Sequence, residues 1–516
     1  MITRRRFIAQ SALAAPALLL HGGNLPGRES VSAEDAFQER LSLDAYRPQY
    51  HFLPKANWVN DPNGPVFWKG YCHLFYQYSS TIFPQGPKYW GHARSKDMVH
   101  WEHLPMALAP TPGGPDKDGC WSGSAFINEG VPTLIYTGVL PQVQCLATSD
   151  DDMTTWKKFS GNPVVRMPPD EPAVTGFRDP SIWREGDSWL MTVGAGFQGK
   201  GGAVLLYRSM DLVHWEYLGP LFTAPPFERR DSARSGRYEP IGAGDMWECP
   251  DFFPLGQKHV LLVSSQGRVH YFVGTYSHRK FLAETQGLID GCGLHYASKT
   301  FADGRGRRIL WGWIREGRSK AAQNSAGWSG AISLPRVLSI ASDGTLRMEP
   351  LPELAQLRGR RHRIMNSEVG GLLPVSGVRG SSLEIQLTMD PGEAKECGIT
   401  VRRSADAAEE TVISYNAATQ DVVLSGAHSS LSPDAVGGTY RCQLKLEPSE
   451  LLSLTIFLDA SVVEVFANGR ACLTGRTYPT RSDSLGVGVF AHDGRARVKS
   501  LDAYEMKAIS RDRLTT

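Results

Sequence analysis

Neither sign of charge is in surplus in this sequence. Its 55 Lys and Arg face 53 Asp and Glu, a formal net charge of +2. That balance creates no large basic field and argues against nucleic acid as a partner. Apolar runs are also short. The stretch from Phe7 to Leu20 falls below the about 20 residues that a membrane-spanning helix needs. The eight cysteines form no C-x-x-C pair and show no His/Cys ligand spacing, so neither structural zinc nor another bound metal is expected. Most of them read as small buried hydrophobes. A bridge within the C-terminal part stays open, because spacing does not fix pairing.

What is present points to strands. At 516 residues the chain has room for at least two domains with separate cores. Its 13 Trp and 17 Tyr accompany 53 Gly and 33 Pro, a mixture that favours many short strands joined by turns. The N-terminus reads as an address. Arg4-Arg5-Arg6 stands directly before the apolar run, the arrangement of a twin-arginine export signal. Val31-Ser32-Ala33 offers a small-x-small cleavage site, so residues 1–33 are expected to be removed and the protein to be periplasmic or secreted. An uncleaved anchor is the alternative.

Five segments share one plan: a polar cluster, a short apolar strand, a Gly turn and a second apolar strand. They open at Asp61, Trp121, Asp179, Glu248 and Tyr296, and turn at Gly70, Gly130, Gly186, Gly256 and Gly304. A second motif runs out of phase with them. Ser95-Lys-Asp-Met-Val-His-Trp101, Ser149-Asp-Asp-Asp-Met-Thr-Thr-Trp156 and Ser209-Met-Asp-Leu-Val-His-Trp215 each end on Trp, with a weaker fourth copy at Ser277-His-Arg-Lys-Phe281. About four strands per unit, repeated five times, describe a five-bladed β-propeller over residues 45–350. The polar clusters opening each unit then converge at one end of the central channel, so Asp61, Asp179 and Glu248 become neighbours. Beyond the repeat, Leu383, Ile385, Leu387 and Met389 alternate with polar residues, as do Leu452, Leu454, Ile456 and Leu458. This period of two marks half-buried strands, and residues 360–508 read as a β-sandwich. The charged tail from Lys507 is expected to fray. The whole chain is thus all-β.

Three acidic residues at equivalent blade positions suit glycosidic hydrolysis with retention. One carboxylate must be an ionised nucleophile and a second must carry a proton, about 5–5.5 Å away. A third anion beside the ring stabilises the oxocarbenium-like transition state. Each residue alone has a plainer account. Asp61 sits in a turn sequence, Arg178-Asp179 is a potential structural ion pair, and Glu248-Cys249 is unspecific.

At these residues the sequence resembles glycoside hydrolase family 32, the β-fructofuranosidases that include invertases, inulinases, levanases and fructan exohydrolases. The likeness rests on Trp58-Val-Asn-Asp-Pro-Asn-Gly64, Trp90-Gly-His-Ala, Gly119-Cys-Trp-Ser-Gly-Ser-Ala125 and Phe177-Arg-Asp-Pro180. It continues through Trp247-Glu-Cys-Pro-Asp-Phe-Phe253, Trp311-Gly-Trp313 and, in the sandwich, Ile456 to Gly469. The resemblance implies that Asp61 attacks the anomeric carbon of a terminal fructosyl unit and that Glu248 is the acid/base. Asp179 would stabilise the transition state, with Arg178 holding Asp179 and Glu248 in place. Asn60, Gln77 and Ser122 would hydrogen-bond the sugar, and Trp58, Trp121 and Trp313 would wall the pocket. Cys249 would tune the acid and be neither nucleophile nor half of a disulfide. The partner implied is a small carbohydrate, sucrose or a fructan, and no cofactor is required. A fructosyltransferase and a non-catalytic sugar-binding homologue are the alternatives. Oligomeric state is left open.

Two departures stand out. Many members carry an extra Trp shortly before Trp-Gly-His; residues 82–87 have none, and Phe83 is expected to replace it. Leu294-His295 stands where many bacterial members have Asp-Phe. Both changes are expected near the leaving-group side of the pocket.

Overall fold

The computed structural model describes residues 32–82, 86–170, 173–223, 246–435, 437–511 and 514. The export signal, all but its last two residues, and Phe83 lie outside the described residues. Among those described, no helix is long and apolar enough to cross a membrane.

The five repeats are five antiparallel four-stranded blades. Blade I comprises Asn57–Trp68, Tyr71–Ser79, Tyr89–Ser95 and Glu102–Leu108, and blade II begins at Gly119–Asn128 and Val131–Val139. Blade III begins at Val174–Glu185, blade IV at Glu248–Leu255 and blade V at His295–Ala302. The ring is closed by a short parallel pairing, Trp328–Ser329 of the last unit against Asn57 and Trp58 of the first.

The innermost strand of every blade carries a β-bulge at the same place. Register breaks between Val59 and Pro62, Trp121 and Gly123, Arg178 and Ser181, Glu248 and Asp251, and Tyr296 and Lys299. A bulge adds a residue, bends the strand and re-aims side chains. Asp179, Cys249 and Ala297 reach it with positive φ of 64°, 48° and 52°, a region non-glycine residues seldom enter. Pro180 and Pro250 stand in these bulges and Pro62 at the edge of the first, places where a missing N–H costs little.

The second motif builds the turn between third and fourth strands. Asp97 Oδ1 accepts from the backbone of Val99 and His100, and its Oδ2 holds His100 Nδ1 at 2.9 Å. Asp211 repeats this with Val213 and His214, and Asp151 with Thr155. The weaker fourth copy is different. With no aspartate to receive the turn N–H groups, Ser277 and Lys280 pair across a two-residue hairpin whose His278 and Arg279 have φ of 49° and 62°.

In the sandwich, two long strands, Arg358–Arg379 and Gly486–Met506, pair along their length. The second also pairs with Glu396–Arg403 at its start and with Ser382–Asp390 at its end, so it runs through both layers. Leu383, Ile385, Leu387 and Met389 are buried and face Leu458, Ile456, Leu454 and Leu452 in register. The tail does not fray at its start. Lys507 N donates to Leu357 O, Ile509 N donates to Gln49 O, and Leu514 is buried in the propeller-side core.

A fully buried ionic network clamps the sandwich to the propeller. Arg336 Nη2 reaches Asp290 at 3.0 Å and Glu464 at 2.7 Å. His51 bridges Asp459 at 2.8 Å and Glu464 at 3.1 Å. Burial opposes ionisation of Glu464, but Arg336 and His51 outweigh it and bring the group down to about 2. Its contribution is therefore present across the neutral range and lost only as pH falls toward 2. Arg336→Met would leave Asp290 buried without its cation and Glu464 with His51 alone. It is expected to cost about 3–5 kcal/mol, read as a lower urea midpoint; a midpoint within experimental error of the parent would contradict the clamp.

Candidate active site

The bulges deliver one polar residue after another to the same end of the channel. Asp61, Ser122, Asp179 and Cys249 sit in the bulges of blades I to IV, and Glu248 stands at the edge of the fourth. The groups freed by the bulges are taken up by neighbouring blades. Asp179 N donates to Thr137 Oγ1 at 2.9 Å, Ser124 Oγ to Pro180 O at 2.8 Å, and Lys299 Nζ to Pro250 O at 2.8 Å.

Around Asp61 the side chains form a closed ring of hydrogen bonds. Asn60 Nδ2 donates to Asp61 Oδ1 at 3.0 Å and to Gln77 Oε1 at 2.8 Å. Gln77 Nε2 donates to Ser122 Oγ at 2.7 Å, and Ser122 Oγ donates to Asp61 Oδ2 at 2.6 Å. Both carboxylate oxygens thus receive a donor, and the ring fixes their orientation. Burial and the charge of Glu248 raise Asp61, while Ser122, Asn60 and Lys88 pull it back.

Glu248 has other company. Its Oε1 accepts from Arg178 Nη2 at 2.7 Å and its Oε2 from the Tyr296 hydroxyl at 2.5 Å. The Arg178 guanidinium lies over Trp121, 5.6 Å from the ring centroid. Asp179 accepts from Cys249 N at 2.9 Å and has Arg178 Nε at 3.9 Å. Burial, helped by Glu248 and Asp61, raises Asp179 to about 6 despite Arg178. The Cys249 thiol sits between two carboxylates, 3.5 Å from Asp179 and 3.6 Å from Asp61. Burial drives its own titration upward, so it stays a neutral S–H donor.

Trp58 and Trp313 form one wall, with ring centroids 5.6 Å apart. The eleven residues given roles by the resemblance, Cys249 included, therefore belong to one connected cluster. Two further members were not singled out. Tyr296 opens the fifth repeat and was legible as a blade start, but its hydroxyl reaches Glu248 only through the bulge that follows it. Lys88 lies just past the segment where Phe83 was expected to fill the wall, with its ammonium 5.2 Å from the Trp58 centroid. Of the pair Leu294-His295, His295 does not line the pocket. It is completely buried, with Arg336 and Ser298 at its two ring nitrogens. Among the described residues, no group of three or more His, Cys, Asp or Glu is arranged to hold a metal ion.

Such a cluster offers a desolvated carboxylate with both oxygens oriented, a second carboxyl served by a cation and a phenol, and a third held apart by backbone. The family model for the N-terminal domain of glycosyl hydrolases family 32 matches residues 51–350, and that for the C-terminal domain matches 353–505. Sucrose-6-phosphate hydrolase of Escherichia coli is 33% identical, covering 87% of this chain and 94% of that protein. Acid beta-fructofuranosidase of Vicia faba is 34% identical over 85% of this chain and 77% of its own. The crystal structure of fructan 1-exohydrolase IIa from Cichorium intybus superposes with a TM-score of 0.80 at 30% identity, covering 90% and 98% of the two chains.

Asp179 generates a stability prediction with a definite sign. Its folded-state value lies above that of an unfolded chain, so ionising it works against folding; the cost is absent at low pH and complete above about 6. Asp179→Asn is expected to raise stability at pH 7 by on the order of 2 kcal/mol, with the gain vanishing near pH 4. Thermal unfolding at the two pH values measures it; a variant less stable than the parent at pH 7 would refute this account.

Proposed function

The chain belongs to glycosyl hydrolase family 32, and from that premise we propose that it is an exo-acting, retaining β-fructosidase releasing terminal β-D-fructofuranosyl residues from sucrose or fructans. The observation that carries this reading is the unequal treatment of the two carboxyl groups. Asp61 is locked by Asn60 and Ser122 with both oxygens occupied by donors. Glu248 faces Arg178 and a phenolic hydroxyl and remains partly open to solvent.

In the first half-reaction Asp61 attacks the anomeric carbon while Glu248 gives its proton to the departing oxygen. The bond to the leaving group breaks and a fructosyl ester of Asp61 forms. In the second, Glu248 takes a proton from water, which attacks the anomeric carbon and releases the Asp61 carboxylate. Asp179 faces the ring and offsets its developing positive charge. Arg178 holds Glu248 and counters Asp179. Asn60, Gln77 and Ser122 bind fructose hydroxyls once the sugar enters, and Trp58, Trp121 and Trp313 enclose it. A fructosyltransferase would use the same groups with a sugar acceptor in place of water, and a pure sugar binder would have no use for the acid. We also propose export of the protein. The support for it is the sequence, where Arg4-Arg5-Arg6 stands directly before the apolar run from Phe7 to Leu20.

Four outcomes are expected. Asp61→Ala abolishes turnover with the fold retained, as judged by thermal melting; undiminished sucrose cleavage by that variant would sink the assignment. Glu248→Gln lowers kcat by about 10²–10⁴-fold. Offered sucrose, raffinose, inulin and levan separately, the mature protein releases free fructose from at least one; longer oligosaccharides as the main product would instead mark a transferase. In the export reading, mass spectrometry of the exported protein finds an N-terminus at Glu34, and a retained Met1 in an active exported form would overturn it.

A further inference from the structure

Lys88 has no part in the steps above, yet its ammonium is held inside the same pocket. Its backbone carbonyl accepts from Cys120 N at 2.9 Å, which pins the residue at the seam between blades I and II. From there Nζ donates to Asn60 Oδ1 at 3.3 Å and lies over the face of Trp58. Asn60 in turn donates to Asp61 Oδ1, so a single amide separates the cation from the carboxylate. Burial brings the ammonium down to about 8, and Asp61 is the charged group that supports its protonation. The other charged groups of the pocket, Arg178, Asp179 and Glu248, interact with one another. Among the described residues, no carboxylate lies within ion-pair distance of Lys88.

Resting on the assignment of Asp61 as nucleophile, we propose that Lys88 is a positioning residue for the second half-reaction, favouring departure of the Asp61 carboxylate from the fructosyl ester. The carboxylate is anionic in the free enzyme, neutral in the ester, and anionic again as the ester is cleaved. A fixed cation one amide away stabilises both ionised states and leaves the ester unaided. It makes Asp61 a slightly poorer nucleophile and a better leaving group. In the step itself, the oxygen of water bonds to the anomeric carbon and the bond to Asp61 breaks with its electron pair going to the carboxylate. Glu248 takes the water proton, and Lys88 keeps its own throughout.

Such a role separates kinetically from binding or folding. If only ester cleavage slows, kcat and KM fall together and kcat/KM, which reports ester formation, holds. The test compares Lys88→Met, Lys88→Gln and Lys88→Arg with the parent on the preferred fructoside. Steady-state kinetics are paired with acid quenching and mass spectrometry of the fraction of chains carrying one fructosyl unit. In the Met and Gln variants the fructosylated fraction is expected to rise, with kcat and KM both lower by about 10-fold and kcat/KM within about 2-fold of the parent. Lys88→Arg keeps the charge and restores the parent's fraction. Should Lys88→Met fail to fold by thermal melting, the Gln and Arg pair carries the comparison. A drop in kcat/KM without a rise in the fructosylated fraction would overturn the proposal, as would parent-like kinetics and fraction in both neutral variants. Absence of any fructosyl unit on Asp61 in the parent and all variants would instead bring down the nucleophile assignment itself.

Discussion

Everything at the site depends on one constraint: an inner strand must leave its ladder to aim a side chain into the channel without abandoning its hydrogen bonds. A buried strand cannot do so alone, because each backbone group freed by a bulge must find a partner. Here the partner comes from the next blade. Thr137 of blade II receives the freed N–H of Asp179, and Ser124 of blade II serves the carbonyl of Pro180. Lys299 of blade V serves Pro250, and Asp251 of blade IV accepts from Thr300 and Ser181 on either side. The bulges that shape the pocket are therefore also the stitches between blades. The geometry of the site and the assembly of the propeller rest on the same few bonds.

That arrangement permits an otherwise costly concentration of acid. Three carboxyl groups share the channel mouth with one closely paired arginine. The costs are unevenly distributed: Asp179 is held at about 6 by burial and by its two acidic neighbours, whereas Asp61 is eased by two side-chain donors. Cys249 adds a neutral donor between Asp61 and Asp179, which separates the two without adding charge. Destabilised groups gathered at a site are the usual mark of structure given over to function.

Much of this was legible in the sequence, for identifiable reasons. The Gly turns after Asp61, Trp121, Asp179, Glu248 and Tyr296 recur because every blade needs a tight hairpin between its first two strands. The alternation of Leu383, Ile385, Leu387 and Met389 is visible because a sandwich strand has one wet face. The bulges were missed, although Pro62, Pro180 and Pro250 signal them: proline within a central strand demands an irregularity. Lys88 and Tyr296 escaped because their roles depend on where a side chain ends, not on a local pattern. His295 was misplaced for the same reason, since neighbours in sequence along a strand point to opposite faces. The tail from Lys507 looked free because its charges are local, while its anchors, Leu357 and Gln49, are remote.

This alternation also explains why a distant sandwich bears on the chemistry. His295 and Tyr296 are consecutive, so one points into the core as the other reaches the pocket. Burial, reinforced by Arg336, holds His295 down at about 3. The neutral ring therefore accepts from Arg336 at Nδ1, which leaves Nε2–H to donate to Ser298. Arg336 is itself fixed by Glu464 of the sandwich and by Asp290. A continuous set of bonds thus runs from the sandwich motif Ile456–Gly469, through Arg336 and His295, to the strand that presents the Tyr296 hydroxyl to Glu248. Every group placed at the pocket above comes from the propeller. The sandwich reaches the fifth blade through Arg336 and His295, next to the phenol that bonds Glu248.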